Sequence, residues 1–400
     1  MEEKKVKIFS MSGMPVSGKS TVIKTMTRKL EESGYNKENI HVFSVGKRFR
    51  EYFNKVVMLA SNIENKDVLK EISEDEDMKR IFSNPSYRKE LEKTIAALRT
   101  SGYDFNNHDI EKANNSEEFA DVRSVIDHIV DNDVKELGEK LLEENNSDEV
   151  WIIDSRLAFL NIPESFAVRL TVRDDIAAKR LLGDNLRGKE DRNYSSVEEA
   201  KQKIVERKKG EEERYKEVYN VDLKDPNNYD LIIDTSFSTI DDIAETILKC
   251  EELYRQGKKF SKTWASPKIF LPMQEERDTL DRGFGGYTID EMKDELRQNG
   301  YDPTLGGIDV FKYKDKYYIY EGHHRNFAYA AIGKTLIPYD ELIADKNLVE
   351  RTKYLRKSNL WGHEGFFDIR DEDYNVIESF SYNSVYPGIY KELDERDNTR

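Results

Sequence analysis

Residues 13–21 read Gly-Met-Pro-Val-Ser-Gly-Lys-Ser-Thr and follow the apolar-rich run Val6-Lys-Ile-Phe-Ser-Met11. Phosphate oxygens have to meet backbone N–H groups at close range, where a side chain would interfere, so such a loop needs glycine. Gly13 and Gly18 supply that freedom, with Ser17 between them. Lys19 brings positive charge to the outer phosphates, Ser20 offers a hydroxyl to magnesium, and Thr21 follows in the first turn of a helix whose positive dipole end points at the loop. Strand before and helix after is the context this spacing requires. The stretch predicts a bound nucleotide but does not say what receives its phosphate.

Three other stretches gather chemistry-bearing residues. Trp151-Ile-Ile-Asp-Ser-Arg156 is a buried-type strand ending in an acid and a base. Ligands bind beyond the carboxyl ends of strands in α/β sheets, which suits Asp154 to magnesium or to orienting an acceptor, and Arg156 to forking onto a phosphate. A plain strand-end salt bridge is the structural alternative. Between Arg173 and Arg214, Arg180, Arg187, Arg192 and Arg207 are interleaved with acids, as in a solvated helix face or as cations that close over a transferring phosphoryl group. Gly183 and Gly188 flank the densest part and suit a moving lid. Finally, Gly322, His323, His324 and Arg325 stand at a strand-to-helix turn, which would collect backbone donors, a helix dipole and cations at one point and so form an anion site. The alternative there is a histidine pair that caps the helix or bonds to the core.

The elements that must position these residues follow from periodicity. Runs suited to strands lie at 5–11, 40–45, 150–153, 166–172 and 229–233, with helical patterns between them. Val22, Ile23, Met26 and Leu30 share one helical face that stops at Gly34, and Val122 to Leu141 repeats at helical spacing. Strands alternating with helices predict a parallel sheet covered on both faces. The charged region from about 52 to 118 reads as a helical insertion, 257–266 as a linker, and 267–400 as a smaller α+β domain rich in aromatics and glycine. The first domain is then 1–256.

Four hundred residues with a charge of −15 describe a globular chain of two or three domains, and disfavour a chain-wide electrostatic grip on nucleic acid. Cys250, the single cysteine, excludes an internal disulfide and fits a reducing compartment. The charged Met-Glu-Glu-Lys-Lys start does not read as a signal peptide, and no apolar run approaches the about eighteen residues of a membrane span. These readings predict a cytoplasmic protein with no membrane association and leave the oligomeric state open.

Val150-Trp-Ile-Ile-Asp-Ser-Arg-Leu-Ala, Phe166-Ala-Val-Arg-Leu-Thr-Val, Glu213-Arg-Tyr-Lys-Glu-Val-Tyr-Asn-Val-Asp, Asn228-Tyr-Asp-Leu-Ile-Ile-Asp-Thr-Ser and Ser44-Val-Gly-Lys-Arg-Phe-Arg together resemble the cytidylate-kinase-like branch of the P-loop nucleoside monophosphate kinases. The resemblance spans residues 5 to about 250, apart from the long stretch after Tyr52. It implies a five-stranded parallel sheet, with ATP and magnesium (Mg2+) at Gly13, Ser17, Gly18, Lys19, Ser20 and Thr21. It further implies Ser20 and Asp154 near the metal, Arg50 and Arg156 on the acceptor's phosphate, and Arg180 with Arg187 or Arg192 in the lid. Lys19, Asp154, Arg156 and Arg180 would carry the chemistry. Asp127 and Asp131 lie on a helix similar to the family's acidic acceptor-side helix, or are surface carboxylates.

Two departures bear on this. The loop lacks the extra internal glycine common in the family, and the enlarged region 52–115 falls where the acceptor is gripped. Residues 317–338, with Lys268-Ile-Phe-Leu-Pro-Met-Gln-Glu-Glu-Arg-Asp, resemble the ParB and sulfiredoxin-like fold, whose members bind nucleotide phosphates at a comparable turn. Sulfiredoxin's cysteine has no counterpart there. The resemblance implies that Glu275 or Glu276 would be a catalytic carboxylate, as in the fold's free-serine-kinase branch. The chain therefore reads as an ATP-dependent phosphotransferase acting on a nucleotide or nucleotide-like acceptor, with a C-terminal phosphate- or nucleotide-binding domain and a nucleotide or small phosphorylated substrate as its partner. The alternatives are a kinase for a modified base in DNA or for a small metabolite, and a nucleotide-regulated interaction protein.

Overall fold

The computed structural model describes residues 6–61, 70, 74–100, 120–183, 194, 196–271, 288–302, 306–313, 316–341, 366–370 and 376–381. The chain divides into two compact units, one of 1–23, 27–169 and 178–229, the other of 24–26, 170–177 and 230–400.

In the first unit, β1 (Lys7–Gly13) lies parallel to β3 (Val150–Asp154), and β3 lies parallel to β2 (Ile40–Ser44). Their apolar runs are continuous rather than alternating because both faces are covered, and Phe9, Met11, Ile152 and Ile153 are fully buried. The register aligns Met11, Asp154 and Ser44, so three strand ends reach the same edge. β1 opens into α1 (Lys19–Glu32), whose Val22, Ile23, Met26 and Leu30 are buried on one face and whose end is turned by Gly34 at φ +103°, as the pattern predicts.

After β2 the helical region begins at once. α2 (Val45–Ser61) starts seven residues before the insertion boundary read from composition. α3 (Glu76–Ser83) is capped by Asp75, which accepts from Met78 N at 3.0 Å. α4 (Pro85–Thr100) places a proline where its missing N–H costs nothing. Of the predicted helical insertion, 62–69, 71–73 and 101–118 lie outside the described residues.

α5 (Ala120–Glu144) returns the chain to β3, and its Ile126, Ile129, Val130 and Val134 are buried. Gly138 sits so close to α6 (Ala158–Asn161) that an added Cβ would stand 2.6 Å from Ile162, hence the glycine. β4 (Phe166–Thr171) is next to β1, with Phe166 edge-on to Phe9 at 6.2 Å. α7 (Asp174–Gly183) follows, and α8 (Val197–Tyr219) is opened by Ser196, whose side chain accepts from Glu199 N.

The second unit contains β5 (Leu231–Asp234), α9 (Ile240–Arg255), β6 (Thr263–Ala265), β7 (Phe270–Leu271), α10 (Ile289–Asn299), β8 (Ile308–Tyr313), β9 (Lys316–Glu321), α11 (His323–Ala331) and β10 (Ile337–Glu341). Its strands run in the order β5-β6-β10-β8-β9-β7. The sheet continues from β5 into β6, so the expected count of five strands does not complete it. β6, which falls inside the stretch read as a linker, pairs in parallel with β5 and antiparallel with β10.

A polar strap reinforces this join. Asp242, in the first turn of α9, accepts from Thr335 N at 2.9 Å, and Ser238 Oγ donates to Thr335 O at 2.8 Å. The parallel-dominated α/β character of the β2-β3-β1 layer is as expected, and the sheet of the second unit is mixed. Its core joins Phe270, Leu296, Ile308, Val310, Ile319, Ala328 and Ile337. β11 (Phe366–Arg370) and β12 (Val376–Ser381) form an antiparallel hairpin.

Candidate functional site

The loop after β1 is built from two left-handed residues, Val16 at φ +62° and Gly18 at φ +82°. Gly18 caps α1 and its carbonyl accepts from Thr21 N and Val22 N, both at 3.0 Å, while Ser17 N turns back to Met14 O at 3.2 Å. The first N–H groups of α1 have no acceptor within the helix and face the loop, which makes a phosphate cradle. Ser20 and Thr21 are exposed there.

Lys19 Nζ stands 2.5 Å from Asp154 Oδ1 at the tip of β3, and Ser44 Oγ at the tip of β2 donates to Asp154 Oδ2 at 3.2 Å. Arg180 of α7 reaches the same loop, with Nη1 3.5 Å from Val16 O. Lys19, Asp154 and Arg180 are thus brought together around the cradle. Ser44, which the motif reading did not assign, joins them because strand register places it opposite Asp154. The donor set of Ser20 hydroxyl and Asp154 carboxylate is all oxygen and suits magnesium.

Arg156, two residues beyond Asp154, pairs instead with Glu211 of α8, which also accepts from Arg207 Nε at 3.2 Å. The spacing Arg207, Glu211, Arg214 puts the three on one helical face. Arg214 Nη1 then bonds Asp127 Oδ2 of α5 at 3.1 Å, and Tyr219 donates to Asp131 Oδ2 at 2.7 Å. Burial raises both carboxyls above the usual range, since α8 covers them. Burial and the neighbouring Asp131 together push the Tyr219 phenol well up, which leaves it the donor.

The residue missed from the sequence is therefore Glu211, which ties Arg156 to Arg207. Its only signal was the Arg-x3-Glu-x2-Arg spacing. Arg50 is exposed on α2, and among the described residues no bond joins it to this cluster. Arg187 and Arg192 lie outside the described residues, as do Glu275 and Glu276.

In the second unit, Gly322 caps α11 at φ +104° and is followed by His323, His324 and Arg325. His323 is 7% exposed, and burial, with His324 beside it, pushes its imidazole down to about 3. It is neutral at physiological pH and adds no cation. Arg325 Nη1 donates to Gly306 O at 3.2 Å.

Residues 59–237, less than half of the chain, match the model of the cytidylate kinase-like family. The match supports a P-loop kinase of the nucleotide-kinase type. A cytidylate kinase from Methanosphaera stadtmanae is 30% identical over 122 residues, 30% of this chain and 66% of that protein. An S-adenosylmethionine-dependent nucleotide dehydratase from Lacinutrix mariniflava is 35% identical over 127 residues, 32% of this chain and 24% of that protein. The chain thus spans about a quarter of one relative and just under two thirds of the other. A solved shikimate kinase from Bacteroides thetaiotaomicron overlays at a TM-score of 0.31 with 14% identity over 62% of this chain and 98% of that one, too slight a likeness to argue from. Among the described residues no helix is long and apolar enough to cross a membrane.

Proposed function

We propose that the chain is an ATP- and magnesium-dependent phosphotransferase acting on a nucleotide or nucleotide-like acceptor. The observation that carries this is the Lys19–Asp154 contact, with Arg156 two residues on in the Arg207, Glu211 and Arg214 cluster. Asp154, which meets the donor-side Lys19, and the acceptor-side Arg156 thereby leave one strand tip in succession. In this reading Gly13, Ser17, Gly18, Lys19, Ser20 and Thr21 hold the donor phosphates, and Ser20 with Asp154 would hold magnesium. Bound magnesium offsets phosphate charge. Lys19 and Arg180 face the transferring phosphoryl group, Arg156 and Arg50 take the acceptor's phosphate, and Arg187 and Arg192 belong to a lid. Phosphoryl transfer asks for positioning and charge stabilisation more than for covalent chemistry, and these side chains supply both.

The reading places the kinase domain at 1–256, a linker that carries the short strand β6 at 257–266 and a ParB/sulfiredoxin-like domain at 267–400, with a phosphate-binding turn at Gly322, His323, His324 and Arg325. It places the protein in the cytoplasm, in keeping with its single, buried cysteine. A coupled-enzyme screen of nucleoside monophosphates tests it, and ADP release with at least one of them is the expected result. Turnover confined to a hydroxyl-bearing small metabolite or to DNA with a modified base would replace the acceptor assignment. No turnover, together with nucleotide-dependent partner binding, would make the protein a switch.

A further inference from the structure

α5 bears acids on two sides. Asp127 and Asp131, one turn apart, bond Arg214 and Tyr219 of α8. Asp133 points elsewhere and is only 6% exposed. Its Oδ2 accepts from the Tyr52 hydroxyl at 2.8 Å and lies 3.7 Å from Arg48 Nε, and its other oxygen pairs with Arg80 of α3.

Arg48, Tyr52 and Lys55 are spaced to share a stripe of α2, and the Arg48 guanidinium lies 4.8 Å over the Tyr52 ring. The same stripe continues into α3. Arg48 Nη2 meets Asp77 Oδ1 at 2.5 Å, and Lys55 Nζ meets Asp75 at 2.7 Å and Asp77 at 3.2 Å. Asp133 is where α2, α3 and α5 converge. Apolar residues could pack three helices equally tightly, whereas a buried carboxylate shared by two guanidiniums and a phenol accepts only one register.

We propose that Asp133 is a positioning residue: it locks the enlarged helical region to α5 and thereby sets Asp127 and Asp131 against α8, shaping the acceptor pocket. Its functional consequence rests on the kinase reading above, but its structural part does not. Within the region that most enlarges the chain relative to its family resemblance, α2 and α3 are then a brace for the acceptor side rather than an appended surface.

The test compares Asp133→Asn and the milder Tyr52→Phe with Lys55→Met, which cuts ties between α2 and α3 and leaves the bonds of Asp133 in place. For Asp133→Asn, backbone amides of 197–219 should exchange about tenfold faster, and the acceptor KM should rise about tenfold with kcat and the ATP KM within about twofold, since small misplacements act on orientation. Tyr52→Phe should move both in the same direction by about threefold. Lys55→Met should lower the melting temperature yet leave both readouts at wild type. The proposal is overturned if Asp133→Asn and Tyr52→Phe match Lys55→Met in α8 exchange. If the wild type turns over no acceptor, the kinase reading fails, and α8 exchange alone decides the positioning role.

Discussion

Two strand-to-helix turns in this chain are spelled alike. Gly18 and Gly322 each cap a helix from the left-handed region, at φ +82° and +104°, and basic or titratable residues follow each. Around Gly18 the side chains that follow stay accessible. Lys19 pairs with Asp154 at a strand edge, and Ser20 and Thr21 are exposed. Around Gly322 the space is filled: a Cβ there would stand 2.6 Å from Ile308, His323 is buried and neutral, and Arg325 serves a backbone carbonyl. The difference is burial. A turn with the backbone of an anion site loses a cation where its first side chain is drawn into the core, as His323 is.

The strongest way to break this contrast is Lys19→Ala. It should lower phosphoryl transfer by roughly three orders of magnitude while leaving the melting curve nearly unchanged, because an electrostatic donor to the transition state is lost and no core contact is. Steady-state ADP release alongside thermal melting checks it. Gly322→Ala should do the reverse. Left-handed strain and collision with Ile308 should cost about 2–3 kcal/mol in denaturant unfolding, with transfer per folded molecule unchanged.

A third test uses pH. His323 has a folded pKa depressed to about 3, so the unfolded chain gains a proton first as pH falls below its ordinary value near 6.5. Stability is therefore fully present above about 6.5 and is lost on acidification toward 3, at up to about 1.4 kcal/mol per pH unit. His323→Gln should flatten the difference between unfolding at pH 7 and pH 5; an unchanged slope would mean that the buried imidazole is not the sensor. The smallest effect belongs to Glu211→Gln. Loss of a partly exposed bridge between Arg156 and Arg207 should raise the acceptor KM about three- to fivefold, under about 1 kcal/mol, with the ATP KM constant.

Much of the scaffold was legible because it is local. The five apolar runs became β1 to β5, and the helical face of Val22, Ile23, Met26 and Leu30 was buried as its period requires. The strand-to-helix turn at Gly322 also held, between β9 and α11. The site was legible at Lys19 and Asp154, where a motif and a strand end coincide. It was not legible at Glu211, since an acid on a helix crowded with acids and bases looks like solvated surface until α8 is laid against Arg156.

The amino-acid sequence by itself determined what depends on neighbours along the chain: the phosphate loop with its glycine turn, the strand periods, the caps at Asp75, Ser196 and Thr239. The tertiary structure decided what depends on distant partners. Ser44 meets Asp154 across 110 positions and Arg214 meets Asp127 across 87, while β6 turns part of an apparent linker into a strand beside β5. Burial and ion pairing are properties of surfaces brought together in space. They separate the accessible turn at Gly18 from the buried one at Gly322, although the two look alike in sequence.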